Sequence, residues 1–111
     1  MTMKYMMFVC SDTEPETDES TVPDIDVWVA DNDAAGRRVT GNVLAPPSAA
    51  TTVRVRGGEV LLSDGPFAET KEVFVGFDIL ECADLDEAIA VAAAHPMAYH
   101  GRVELRPYAD L

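Results

Sequence analysis

Lysine is nearly missing from this chain: Lys4 and Lys71 are its two lysines, with six arginines beside them. Against these stand 20 aspartates and glutamates, for a net charge of −12. Nucleic-acid backbones are bound by clustered Lys and Arg, so no nucleic-acid partner is expected. Long apolar runs are missing too. Nothing approaches the roughly 20 residues of a membrane span. The apolar start is too short for a signal peptide, and acids follow where small residues would mark a cleavage site. These features predict a cytoplasmic protein with no membrane partner. Cysteine is scarce: Cys10 and Cys82 show no metal-ligand spacing and read as small buried hydrophobes. Segment 11–20 is rich in carboxylates but lacks the glycine and terminal glutamate of a calcium loop. No metal and no cofactor is expected, and the segment reads as a solvated loop held open by self-repulsion.

What is present is enough for one domain, 1–111, with 48% hydrophobic residues to fill a core. Residues 3–10 form an apolar run that predicts a central strand buried on both faces. In 21–36, Pro23 suits a first helical turn, Ile25, Trp28 and Val29 share a face, and Gly36 supplies a stop. The alternation of Ile25, Val27 and Val29 also fits a strand; the need for a crossover between the flanking strands favours helix. Residues 37–44 predict a short strand broken by Gly41. Residues 52–56 and 59–63 alternate around Gly57-Gly58, a two-residue hairpin turn.

In 73–82, strict alternation places Val73, Val75, Phe77 and Ile79 on one face of a strand and Phe74, Gly76, Asp78 and Leu80 on the other. Asp84 caps the next helix with Glu87 reaching back, and Leu85, Ala88, Ile89, Ala92 and Ala93 form its stripe before Pro96 ends it. Residues 101–107 alternate as a last strand. Cys10 and Cys82 then fall at opposite ends of neighbouring strands, too far apart to bridge.

The order β-α-β, hairpin, β-α-β predicts an α+β, ferredoxin-like fold with both helices on one sheet face. The other face, carrying Phe74 and Leu80, is too apolar for a single copy. Two such sheets packed face to face make a homodimer, a dimeric α+β barrel with a cavity between them.

The hairpin leads into Asp64-Gly65-Pro66-Phe67-Ala68-Glu69-Thr70-Lys71-Glu72, a loop with more chemistry than a connector needs. This run, with Thr51-Thr52-Val53-Arg54-Val55-Arg56, Asp84-Leu85-Asp86-Glu87-Ala88 and Gly101-Arg102-Val103-Glu104-Leu105-Arg106-Pro107, resembles the YCII-related family, in its branch named for the Asp-Gly-Pro-Phe (DGPF) motif. The resemblance implies a dimeric α+β barrel with a suspected active site in the cavity. For some members it implies a setting beside extracytoplasmic-function sigma factors. Relatives place a histidine on the first helix, paired with an aspartate; residues 23–36 here contain none.

Asp64 and His100 are the candidate catalytic residues: Asp64 as a general base or as the acceptor that holds the Pro66 turn, His100 as a near-neutral proton carrier or an exposed loop residue. His95, at a helix C-terminus, is accounted for by the helix dipole. Arg54, Phe67, Asp78 and Arg106 are candidate ligand-binding residues, the arginines as carboxylate binders or as partners of surface acids. Asp78, on the face with Phe74 and Leu80, either meets water or ligand between the sheets, pairs with a cation such as Arg54, or lies at a solvated edge. Two functions follow: a small-molecule-binding or enzyme-like cavity protein using acid/base residues near the loop, or an interaction protein of a sigma-factor pathway.

Overall fold

Strand β1 (Met3–Ser11) is the spine of the molecule, hydrogen-bonded on both sides. The computed structural model describes residues 1–65 and 73–110. Among these, α1 (Ile25–Ala34), β2 (Arg38–Val43), β3 (Thr51–Arg56), β4 (Glu59–Asp64), β5 (Phe74–Cys82), α2 (Leu85–Ala93), α3 (Met97–His100) and β6 (Gly101–Pro107) follow β1. Four strands form one antiparallel sheet in the order β2-β5-β1-β6, the ferredoxin-like arrangement. The predicted α+β fold is the observed one. The hairpin β3–β4 stands as a separate two-stranded sheet. Its turn glycines, Gly57 and Gly58, take φ of 58° and 81°, as a two-residue hairpin turn requires.

The core lies between the sheet and the helices. Tyr5, Met7 and Val9 of β1 meet Leu80 and Cys82 of β5, Trp28 of α1, and Ala88, Val91 and Ala92 of α2. Trp28 Nε1 donates to the Val91 carbonyl at 2.8 Å, which satisfies the indole and ties the two helices together. Burial along β1 is one-sided: the alternate residues Met6 and Phe8 are half-buried, not fully buried as the apolar run predicted.

Several boundaries differ from the sequence reading. Helix α1 begins after Pro23, with Asp24 as its cap accepting from the Asp26 and Val27 N–H groups at 2.7 and 3.3 Å. Gly41 does not break β2. The strand runs through it, and the position is glycine because a Cβ there would collide with the Asp78 carboxylate and the Phe77 carbonyl of β5. The inward stripe of α2 is Ala88, Val91 and Ala92, whereas Leu85 and Ile89 are each half exposed. The cap itself is as expected: Asp84 accepts from Glu87 N–H at 2.8 Å, and Glu87 accepts from Ala83 N–H at 3.0 Å. Pro96 opens the short helix α3 instead of closing α2.

The face assignment of β5 is also corrected. The register slips between Val9 and Cys10: Val9 faces Gly76 while Cys10 faces Phe74, so Val75 is the extra residue of a bulge. One inserted residue reverses parity. Asp78 and Leu80 therefore lie on the helix side, both buried, while Phe74 turns to the open side and stacks on Phe8 at 5.0 Å between ring centroids. Met6 faces Ile79 and Phe8 faces Phe77, which completes an apolar open face. Cys10 and Cys82 are both free and buried. Met3, not Cys10, is the partner of Cys82 in the register.

Candidate functional site

A cavity of about 520 Å³ lies where α1, the β2–β5 edge and the α2–α3 turn meet. Most of its wall is apolar, with Val9, Trp28, Val29, Val75 and Met97 among the lining residues. The bulge at Val75, the Trp28 anchor and the turn at Pro96 shape that wall. Into it project Arg38, Asp78, His95 and His100.

Asp78 is the centre of the polar group. Gly41 on the neighbouring strand leaves the space its carboxylate fills. Arg38 Nε donates to Asp78 Oδ1 at 2.8 Å. The same guanidinium donates from Nη1 to Asp33 at 3.0 Å and from Nη2 to the Gly41 carbonyl at 3.2 Å. Arg38 is thus held on three sides, by α1, β2 and β5. Burial pushes the Asp78 carboxyl above the ordinary carboxylate range, more than the Arg38 guanidinium draws it down. The carboxylates raise the Arg38 pKa further, so its charge is permanent.

His95 closes the group from the other side. It is 6% exposed and packs edge-on against Trp28, ring centroids 4.6 Å apart. Met97 N–H donates to His95 Nδ1 at 2.9 Å, so Nδ1 is the acceptor nitrogen and Nε2 carries the proton. Nε2 stands 4.0 Å from Asp78 Oδ2, beyond hydrogen-bond distance. Burial lowers the His95 pKa to about 4, so the ring is neutral at pH 7. The helix-dipole account of His95 is therefore corrected: the ring is a core residue aimed at a cavity.

The acidic segment crosses the mouth. Glu16 N–H donates to the Tyr99 carbonyl at 2.8 Å, Glu19 Oε2 lies 3.6 Å from His100 Nε2, and Val22 and Pro23 line the cavity. Its carboxylates also cap their own backbone, Asp12 accepting from Glu14 N–H and Asp18 from Ser20 N–H. The segment is exposed as expected, but these bonds tie it down instead of leaving it open.

Of the residues singled out in the sequence, Asp78 and His100 share this cavity. The cation on Asp78 is Arg38 and not Arg54, which is exposed on β3 opposite Leu61. Asp64 is exposed at the end of β4 and is not among the cavity-lining residues. Arg106 lies on the open face, 2.7 Å from Glu104 and 5.7 Å above the Phe8 ring. Phe67, Glu69 and Lys71 lie outside the described residues. Arg38 and His95 were missed. His95 does carry a signal: with Ala88, Val91 and Ala92 it continues the three- and four-residue spacing of the buried stripe. Among the described residues no group of His, Cys, Asp and Glu is arranged to hold a metal ion. No helix among them is long and apolar enough to cross a membrane.

Sheet order and cavity together define the class, a ferredoxin-like α+β domain with a polar group set in an apolar hollow. The chain matches the model of the YCII-related domain over residues 3–111 and belongs to that family. It is similar to the uncharacterized protein R00369 of Rhizobium meliloti (strain 1021), 39% identical over 105 residues that cover 91% of this chain and 83% of the relative.

Proposed function

We propose that the protein is a small-molecule-binding, enzyme-like cavity protein in which Asp78 is the acid/base group and His95 a neutral hydrogen-bond donor beside it. The observation that carries this reading is the pairing of a buried carboxylate with a buried imidazole N–H, 4.0 Å apart, at the wall of a 520 Å³ apolar cavity. Burial raises a carboxyl toward the pH at which it gives and takes protons efficiently. Arg38, fixed by Asp33 and the Gly41 carbonyl, positions Asp78 and leaves Oδ2 toward the imidazole. His100 at the mouth, beside Glu19, is placed to pass protons between cavity and solvent.

We place the chain in the DGPF branch and in the cytoplasm, as a homodimer joined through the open sheet face of Met6, Phe8, Phe74, Phe77 and Ile79. Asp64 and Arg54 enter this chemistry only through a second subunit, since they do not line the cavity of their own. Screening a metabolite extract for bound compounds by mass spectrometry tests the proposal, with wild type, Asp78→Asn and Asp64→Asn in parallel. A compound retained by wild type and Asp64→Asn but lost from Asp78→Asn is the expected result. Retention by Asp78→Asn would move the site elsewhere.

The second reading is an interaction role in a sigma-factor pathway. It draws on the exposed acidic segment, which offers Asp12, Glu14, Glu16, Asp18 and Glu19 to a basic partner. Co-purification with these five changed to Asn or Gln is the check; unchanged partner recovery counts against it.

A further inference from the structure

Resting on the cavity reading above, we propose that the site takes a neutral, otherwise apolar molecule bearing one hydroxyl of phenol or enol type, bound with that hydroxyl bridging Asp78 Oδ2 and His95 Nε2. Within the Asp78–His95 pair, the polar atoms open to a ligand are one acceptor and one donor. Asp78 Oδ1 is taken by Arg38, but among the described residues no donor lies within hydrogen-bond distance of Oδ2. His95 Nδ1 is taken by Met97 N–H, so Nε2–H is the free donor. The two free atoms are 4.0 Å apart. An oxygen at about 2.8 Å from each spans that gap with an angle near 90° at the oxygen. A hydroxyl fits both ends, since it donates to a carboxylate and accepts from an N–H.

Charge excludes the common alternatives. A carboxylate or phosphate placed there meets the Asp78 charge. Arg38, the cation beside it, already has Asp78, Asp33 and the Gly41 carbonyl as partners. A cationic ligand has Asp78 to meet but Arg38 beside it. The remaining wall suits a ring: Trp28, Val29 and Met97 line it. A hollow of about 520 Å³ lies within the range of small-ligand sites, roughly 300–1,000 Å³.

The test uses three probes of one shape: 4-ethylphenol, ethylbenzene and 4-ethylbenzoate. Each is titrated into the full chain at pH 7 while the Trp28 indole and His95 imidazole NMR signals are followed. The expected result is that 4-ethylphenol shifts both signals and binds about tenfold more tightly than ethylbenzene, the worth of a net hydrogen bond. 4-Ethylbenzoate binds more weakly than either. Equal binding of the phenol and the hydrocarbon overturns the hydroxyl assignment and leaves the cavity reading standing, as does preference for the benzoate. No shift with any probe overturns both. In Asp78→Asn, with the Trp28 signal confirming the fold, the phenol loses most of its advantage over the hydrocarbon; an unchanged advantage removes Asp78 from the assignment.

Discussion

Asp78 holds its charge in the core because Arg38 meets it, and each is nearly removed from solvent, with side-chain exposures of 9% and 17%. Breaking one side of such a pair leaves the other uncompensated. Arg38→Met is expected to cost about 3–5 kcal/mol at pH 7, measured by urea unfolding. The loss shrinks in acid, where Asp78 takes a proton. The two buried titratable groups pull stability in opposite directions with pH. His95 has its folded pKa lowered from 6.5 to about 4, so the unfolded chain binds the extra proton first. Its contribution is therefore present above pH 6.5 and lost as pH falls toward 4, up to about 3 kcal/mol. Asp78 has its folded pKa raised, so its contribution is present in acid and lost as pH rises through that value. His95→Phe removes the first dependence: its unfolding free energy is expected to lose the decline between pH 6.5 and 4 that the wild type shows.

At the scale of elements, local signals named most of the structure. The Asp84 cap and the Gly57-Gly58 turn are short-range devices whose chemistry sits in adjacent residues, and both are where the sequence places them. Asp84→Ala is expected to cost about 1 kcal/mol, read as a lowered Tm. What the sequence hid was parity and tertiary contact. A bulge leaves no mark in alternation, so the slip at Val75 put Asp78 and Leu80 on the wrong side of β5. Gly41 looked like a break because glycine weakens a strand, whereas its reason is the carboxylate across the ladder. Arg38 follows Arg37 with nothing local to say which turns inward. Gly41→Ala tests the close approach: either β2 or Asp78 must shift, at about 1–3 kcal/mol, with disturbed Arg38 and Asp78 signals in NMR.

The whole molecule is flat, 47 × 39 × 19 Å, with a radius of gyration of 16.2 Å. A compact chain of this length has about 13 Å. The excess fits the hairpin, a two-stranded sheet with Val53, Val55, Val60 and Leu62 all more than half exposed. Such a hairpin is marginal by itself in water. Together with the Phe8–Phe74 stack on the open face, this is the physical case for a second copy. Sedimentation at micromolar concentration is expected to give a dimer, and Phe8→Glu a monomer; a wild-type monomer would remove the case.

The centre proposed for this protein is a neutral imidazole sealed in the wall of a cavity, its Nε2–H directed at Asp78. Nitrogen-15 NMR of His95 across pH 3–8 reads that state directly. The ring is expected to stay in the Nε2–H form from pH 8 downward and to take its second proton near pH 4. A ring that titrates near 6.5, or that carries its proton on Nδ1, contradicts the assignment of Asp78 and His95 as a paired acceptor and donor.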